Sequence, residues 1–409
     1  MTATTPRPIP TRHPDSPRKV PGLGPFAKLL GIGDPDEQQW RRLGESLLVG
    51  DKPMDDLVEW MYAEGMGTTR PMFDRALEVG IDNVPGAPEP LRRFFAEVEA
   101  TPDWVDQDLL RRGERVYRSG GNDALYFARD VSFVGGYLAS GFNKTLLRTG
   151  ALEKGPGKRF AETLTWAMDV SSVNGMARYG RGYRSTLHVR FIHSMVRRHV
   201  EAMPDWRTDD WGLPINQTDM AATLVGALLA PFVGGMAMGI VPSRADIVAA
   251  AHLTRYVGWL IGVEDQWLPH GFRDGVRILN HCMTAITNPD DTSRQLALPM
   301  ADDPLNWHYR NLPGLRGRIA RAQHLSVAGT FLGPKAMRVL GLPAYMPPWY
   351  PALRIPINLA NSLANAVVPG QRDRAAVRGR QAQEAFVRLL TGEDAATIGE
   401  SAPAMDKSA

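Results

Sequence analysis

Apolar residues in this chain recur at intervals of three and four along almost its whole length. The segments PLRRFFAEVEA (90–100), DLLRRGERVYRS (108–119) and QEAFVRLLTG (383–392) show this spacing, which is typical of helices that bury one face. No run of alternating apolar and polar residues lies between hairpin turns, and no repeat of fixed period is visible. The sequence therefore predicts an all-α protein.

The breaks between the helical segments are short and rich in proline and glycine, as expected for loops and not for linkers. We therefore predict a single large helical domain over residues 25–392. The segment 1–24 is rich in proline and the segment 393–409 is polar, so both are predicted to be disordered.

Two features of the composition indicate the cellular compartment. Residues 1–24 lack the apolar stretch of a secretory signal. Cys282 is the only cysteine, which excludes an intrachain disulfide and the CxxCH motif of covalent c-type haem attachment. We expect a cytoplasmic protein.

The segment 220–243 contains no charged residue and is long enough to span a membrane. Pro231 and several glycines interrupt it, and Asp219, Arg244 and Asp246 flank it without a positive excess. We expect a buried central helix, kinked near Pro231, because proline removes one backbone hydrogen bond. Peripheral membrane contact through 220–243 is the alternative.

The stretch RSTLHVRFIHSMVRRH (184–199) concentrates histidine and arginine. Its histidines are five and six residues apart, whereas a chelating pair on one helix needs a spacing of about one turn, so a two-histidine metal face within this helix is excluded. Its arginines do not share one face, and the net charge of the chain is only +3. Both observations argue against a nucleic-acid partner.

On a helical projection, His193 lies at the edge of an apolar stripe, with Arg190 and Arg197 just beyond it. The stripe consists of Val189, Ile192, Val196 and Val200. This arrangement suits an imidazole that points into a cavity, where it could bind the iron of a haem whose propionates contact the two arginines. A hydrogen-bonded core histidine and a solvated pair of arginines are the alternatives.

Three consecutive segments resemble the latex-clearing-protein family of rubber oxygenases, which also includes the oxygenase of the mycophenolic acid pathway. They are GKRFAETLTWAMDV (157–170), GMARYGRGYRS (175–185) and LHVRFIHSMVRRH (187–199). The resemblance implies a globin-like helical core around a non-covalent haem b. It also implies His193 as the proximal iron ligand, with Arg159 and Thr163 on the distal side.

Two positions depart from the family pattern. Rubber-cleaving members have a lysine where this chain has Glu162, and a distal glutamate where ungapped counting reaches Asn143, which cannot act as a base. Lys144 and Lys158 lie nearby in sequence, so a gap in the comparison would change which residues occupy these two positions. Glu162 is then the most available distal carboxylate. Because these two positions differ from those of rubber-cleaving members, and because no export signal is visible, rubber is not the expected substrate.

The sequence thus predicts an intracellular oxygenase that depends on haem b and acts with molecular oxygen on a small, apolar, unsaturated, isoprenoid-like substrate. Two other functions stay open: a haem-binding protein without catalysis, acting as a sensor or store, and a haem-free helical structural protein. Arg255 and His252 lie in an apolar helix, where Arg255 needs either a propionate or an internal salt bridge as its partner. The oligomeric state is left open.

Overall fold

The structure, a computed structural model, describes residues 9–20, 22–150, 153, 155–392 and 398. Across this part of the chain the backbone forms helices and no β-strand, and one isolated bridge joins Ala139 to Asn288. The chain is a single all-α domain, as the helical periodicity predicts.

The α-helices, in chain order, are α1 (Leu23–Leu29), α2 (Glu37–Glu45), α3 (Lys52–Glu64), α4 (Met66–Val79), α5 (Glu89–Glu99), α6 (Gln107–Ser119), α7 (Gly121–Phe127), α8 (Val134–Gly136), α9 (Ser140–Arg148), α10 (Pro156–Val170), α11 (Arg181–Glu201), α12 (Thr208–Trp211), α13 (Gln217–Ala227), α14 (Leu229–Ala237), α15 (Arg244–Leu260), α16 (Phe272–Ile286), α17 (Asp291–Asp302), α18 (Pro313–Val339), α19 (Trp349–Val367) and α20 (Gln371–Thr391). A π-helical segment, Ala128–Phe133, joins α7 to α8. Short 3₁₀ turns cover Ser46–Leu48, Ile81–Asn83, Asp265–Trp267 and Asp303–Asn306.

Several helices begin where the sequence places a capping residue. The Ser243 hydroxyl accepts a hydrogen bond from the Asp246 amide, and the Asp246 carboxylate accepts one from the Ser243 amide, which forms a capping box at the start of α15. Asp106 caps α6 by accepting bonds from the next turn. These caps satisfy backbone N–H groups that otherwise have no partner within the helix.

Buried apolar side chains form two large clusters. The first draws mainly on α3 to α5, α11, α13, α15 and α16, and the second on α7, α17, α18 and α20. Helix α10 contributes to both: Phe160 and Leu164 pack in the second cluster, and Trp166 and Val170 in the first. The α10–α11 pair therefore lies where the two clusters meet.

The N-terminal segment differs from the prediction of disorder over 1–24. The buried Arg12 guanidinium donates to both carboxylate oxygens of Asp219, at 2.7 and 3.2 Å, and the Trp40 indole donates to the Pro14 carbonyl. Because a buried, bidentate ion pair fixes this segment, the prediction is wrong for residues 9–20 and for the start of α1. Residues 1–8 lie outside the described residues, as do 393–409 apart from 398.

The uncharged segment forms α13 and α14, with a break at Leu228. The break fits the missing N–H of Pro231, which leaves the Ala227 carbonyl without its helical partner. The predicted kink near Pro231 is therefore confirmed. In the described part of the chain, Gln217–Ala237 is the helical segment long and apolar enough to cross a membrane, and just over half of it is buried.

Candidate functional site

Helices α10 and α11 form an antiparallel hairpin that carries most of the predicted site. The Trp166 indole donates to the Thr186 hydroxyl at 3.1 Å. One turn further along the hairpin, Gly182 packs against Val170 so closely that a Cβ added to Gly182 would lie 2.6 Å from the Val170 Cα. Both pairs fit one antiparallel register. Continued towards the other end of the hairpin, this register places the level of Arg159 beside that of His193.

Helix α11 is fixed on its other side by α3. Arg190 donates to both oxygens of Asp51 at 2.6 and 2.7 Å, Ser194 donates to Asp55 at 2.6 Å, and Arg198 pairs with Glu59 at 2.7 Å. From one pair to the next, both partners advance by four residues, about one helical turn. The helices α3 and α11 therefore run parallel and in register.

The two arginines proposed for propionate contact are therefore held by protein carboxylates. Arg190 binds Asp51, and Arg197 binds Asp55 and the Ile215 carbonyl. Both arginines are buried, so the alternative of a solvated helix face is wrong. Contact of Arg190 and Arg197 with haem propionates stays a prediction. The ion pairs that both arginines already make do not favour it.

The close packing around Asp51 also depends on Gly262. A Cβ at this position would lie 2.2 Å from an Asp51 carboxylate oxygen, and its φ of +89° is one that other residues rarely adopt. The turn after α15 thus closes over the Arg190–Asp51 pair and excludes water from it.

His193 keeps part of its surface accessible, but the protein surrounds its ring closely enough for burial to dominate its titration. Burial, with the nearby Arg197 cation as the second cause, lowers the pKa of His193 to about 4. The imidazole is therefore neutral near pH 7, the form that can bind a metal through a nitrogen lone pair. Its Nδ1 atom is buried and has no hydrogen-bond partner among the described residues.

The distal candidates lie on the facing helix. The Thr163 hydroxyl donates to the Arg159 carbonyl at 3.2 Å, which fixes the Thr side chain against its own helix. The Arg159 guanidinium lies 5.9 Å from the centre of the Phe133 ring, and it lies close enough to the buried Tyr137 hydroxyl for its charge to act on that phenol. Burial raises the pKa of Tyr137, so the phenol stays protonated and available as a hydrogen-bond partner.

Glu162 and Asn143 occupy different kinds of environment. Glu162 is buried on α10, between Arg159 and Thr163 in sequence. Asn143 is also buried, and its amide nitrogen donates to the Tyr137 carbonyl at 2.7 Å and to the Thr292 hydroxyl at 3.2 Å. Asn143 therefore ties α9 to its surroundings, and this contact gives it a structural role.

A buried charged cluster that the sequence does not reveal lies beside the start of α10. His324 Nδ1 is 2.6 Å from Asp130, which also pairs with Arg129 at 2.6 Å, and Arg129 reaches Asp303 at 3.6 Å. Asp303 approaches the backbone of Gly157, two residues before Arg159. Arg129 and Asp130 come from the π-helix, an irregular helical turn of the kind often found at functional sites.

Arg255 and His252, the two polar residues singled out in the apolar helix α15, have protein partners. Arg255 lies 4.0 Å from the centre of the Trp104 ring and 3.6 Å from Asp265, and His252 accepts a hydrogen bond from the Asp106 amide. Of the two partners considered for Arg255, the structure shows the internal salt bridge.

The residues around His193 fit a haem in two respects. A buried nitrogen without a partner normally costs about 1–3 kcal/mol, so the unpartnered Nδ1 atom of His193 points to a bound group. At the same level of the hairpin, α10 carries Arg159 and, one turn further on, Thr163. Within the described ranges, no group of three or more His, Cys, Asp or Glu side chains is arranged to hold a metal ion by itself.

A family model described as "ER-bound oxygenase mpaB/B'/Rubber oxygenase, catalytic domain" matches residues 117–367, well over half of the chain. The chain belongs to this family. The match begins at the end of α6 and ends with α19, so it contains the α10–α11 hairpin and both of its neighbours along the chain.

Two relatives of this mpaB/rubber oxygenase family were found. The rubber oxygenase of Streptomyces sp. (strain K30) is 25% identical over 191 residues, which are 45% of this chain and 46% of that protein. The chain thus spans about half the length of this relative. The solved structure of latex clearing protein LCP in the closed state has a TM-score of 0.59 at 17% identity, covering 84% of this chain and 91% of that one. This likeness shows the shared fold.

Within the family fold, the structure brings most of the predicted site onto one hairpin. His193, Arg159, Thr163 and Glu162 lie on α10 and α11, whereas Arg190 and Arg197 turn to α3. Sequence reasoning missed Tyr137 and the His324 cluster. These residues are far apart in sequence, and only the buried polar character of ARD (128–130) in an apolar helix could have indicated them.

Proposed function

We propose that this protein is an oxygenase that depends on haem b and acts on a small, apolar, unsaturated, isoprenoid-like molecule. The observation that carries the proposal is His193: a neutral imidazole with a buried, unpartnered Nδ1 atom, on the helix that packs beside the one bearing Arg159 and Thr163. Membership of the family supports the assignment as an oxygenase. The haem cofactor and the isoprenoid-like substrate are proposed in addition.

In this proposal His193 would hold the iron from the α11 side, and the α3 contacts would keep α11 from moving. When bound, haem supplies an iron centre at which molecular oxygen can react with an organic substrate. The apolar side chains of both core clusters exclude water from the junction, which strengthens every electrostatic interaction there.

The distal helix supplies the polar groups. The Arg159 guanidinium, next to the Tyr137 hydroxyl, would donate hydrogen bonds to an oxygen atom that gains negative charge. Thr163 adds a hydroxyl whose position is fixed by its bond to the helix backbone. Glu162 can hold or accept a proton at its carboxylate, the role of a general acid or base.

The test is oxygen uptake by the haem-loaded protein. A series of isoprenoids of increasing length, such as farnesol, geranylgeraniol and squalene, is offered, and carbonyl and alcohol products are separated to distinguish cleavage from hydroxylation. We expect substrate-dependent uptake that Arg159→Gln lowers by about 100-fold, the order of magnitude for loss of one charge-stabilising donor. The exposed Arg41→Gln serves as the matched control and should keep full activity.

A second candidate function is haem binding without catalysis. It is favoured by Glu162 and Asn143, which replace the lysine and the glutamate implied by the resemblance to rubber-cleaving enzymes. Haem-loaded protein that consumes no more oxygen with isoprenoids than without them would support this second function and contradict the first.

A further inference from the structure

Helix α19 is polar on its inward side. The residues that point into the protein follow a spacing of four: Tyr350, Arg354, Asn358 and Ser362. The first three all bind the buried Asp123 of α7, the Tyr350 hydroxyl at 2.9 Å, the Arg354 guanidinium at 2.9 Å and the Asn358 amide at 2.8 Å. This side of the helix is held by hydrogen bonds and one ion pair.

The same row ties α19 to the end of the apolar segment. The Asn358 amide also donates to the Met238 carbonyl at 2.8 Å, and the Ser362 hydroxyl accepts from the Val241 amide at 3.0 Å. Gly239 is packed against the backbone of Ile355 so closely that a Cβ would be 2.6 Å from its carbonyl oxygen. α19 and the residues that follow α14 thus form one rigid unit.

The outward side of α19 is apolar. Its exposed large side chains are Leu353, Ile357, Leu359, Leu363 and Val367, and the tied Val241 is 63% exposed beside them. The polar exception on this side is Asn361. A helix of a soluble protein normally buries its apolar side and exposes its polar side, so α19 is inverted. We call this outward side, with Val241, the α19 apolar face.

Charge and aromatic residues are arranged at the two ends of this face. From Val339 to Gln371 the only charged residue is Arg354, which points inward. Just beyond the C-terminal end of α19, Arg372, Arg374 and Arg378 are exposed, with one exposed acid, Asp373, that pairs with Arg115. At the other end Tyr345 is 79% and Trp349 40% exposed.

We propose that the α19 apolar face docks on an anionic lipid surface, with the leucine and isoleucine side chains in the acyl region and the arginines on headgroup phosphates. An interfacial helix of this kind combines an apolar face, aromatic residues at its edge and cationic residues nearby. The surface is independent of the proposed function, and it would bring the protein to the phase in which apolar molecules dissolve.

A protein partner is a poorer fit to the same observations. The centres of protein–protein interfaces are enriched in aromatic residues and arginine, and leucine and valine contribute few of their strongest contacts. Here aliphatic side chains fill the centre, while the aromatic residues and arginines lie at the ends. The arginines beyond the C-terminal end of α19 complement the negative charge of phosphate headgroups.

The test is co-flotation of the full chain with vesicles of phosphatidylcholine alone or with 30% phosphatidylglycerol. We expect flotation with the anionic vesicles. The variant L353E/L363E should lose binding, and R372Q/R374Q should reduce it by on the order of tenfold or more, because each cation near an anionic surface contributes about 1 kcal/mol. The control L29E/V173E changes two exposed apolar residues away from α19 and should float like wild type.

All four proteins are first checked for unchanged circular dichroism and thermal unfolding, which is expected because every altered side chain is exposed. Wild type that stays unbound with anionic vesicles, or L353E/L363E that floats like wild type, overturns the proposal. A lipid-free dimer that L353E/L363E converts to monomer in light scattering also overturns it, because the face would then be an interface between two copies of this chain.

Discussion

The depressed pKa of His193 makes a measurable contribution to how stability depends on pH. The folded protein holds this ring at a pKa of about 4, against an ordinary value of 6.5. Between these pH values the unfolded chain binds a proton at this ring that the folded chain does not. The contribution of His193 to the free energy of unfolding is therefore fully present above pH 6.5 and is lost as the pH falls towards 4. At pH 5 the loss from this one ring is about 2 kcal/mol, since one pKa unit equals about 1.4 kcal/mol.

The assay is urea unfolding of haem-free protein at pH 8 and pH 5, for wild type and His193→Gln. Other buried histidines also have lowered pKa values, namely His13, His188, His252, His281 and His324, but they are shared by both proteins. The drop in unfolding free energy from pH 8 to pH 5 should therefore be smaller by about 2 kcal/mol in the variant. The exposed His199→Gln is the matched control. Equal drops in wild type and His193→Gln would refute a buried, neutral His193.

Three further changes test the packing and polar contacts of the hairpin. Asp51→Asn leaves the buried Arg190 guanidinium without its carboxylate and should lower the unfolding free energy by about 3–5 kcal/mol, measured by urea; a loss below 1 kcal/mol would show that water reaches the pair. Gly182→Ala adds a Cβ 2.6 Å from a backbone carbon of α10 and should cost about 1–3 kcal/mol, seen as a lower Tm; an unchanged Tm would contradict the close helix contact. Tyr137→Phe removes the hydroxyl next to the Arg159 guanidinium and should lower kcat of the haem-loaded enzyme with little change in stability; an unchanged kcat would mean that this hydroxyl does not position the guanidinium.

Local patterns in the sequence were sufficient to predict the helical fold and the kink near Pro231. The capping box at Ser243 and the break before Pro231 depend on neighbours within four residues, so a sequence shows them directly. The position of His193 at the edge of an apolar stripe is of the same kind, although α11 is buried on more sides than one stripe suggests.

Contacts between distant segments could not be predicted in this way. The partners of Arg190 and Arg197 lie about 140 residues earlier, on α3, and nothing local to either helix identifies them. Arg12, in a segment predicted to be disordered, is fixed by Asp219 for the same reason. The inverted polarity of α19 also escapes pattern reading, because its sequence shows which side is apolar but not which side faces the protein.

The most direct test of the account is the absorption spectrum of the protein purified after expression with a haem precursor, compared with His193→Ala. His188→Ala, on the same helix but bonded to Arg70, is the matched control. Wild type and the control are expected to show a Soret band, and His193→Ala is expected to lose it or shift it. A colourless wild type that gains no Soret band on addition of hemin, or an unchanged band in His193→Ala, would contradict the assignment of His193 as the haem ligand.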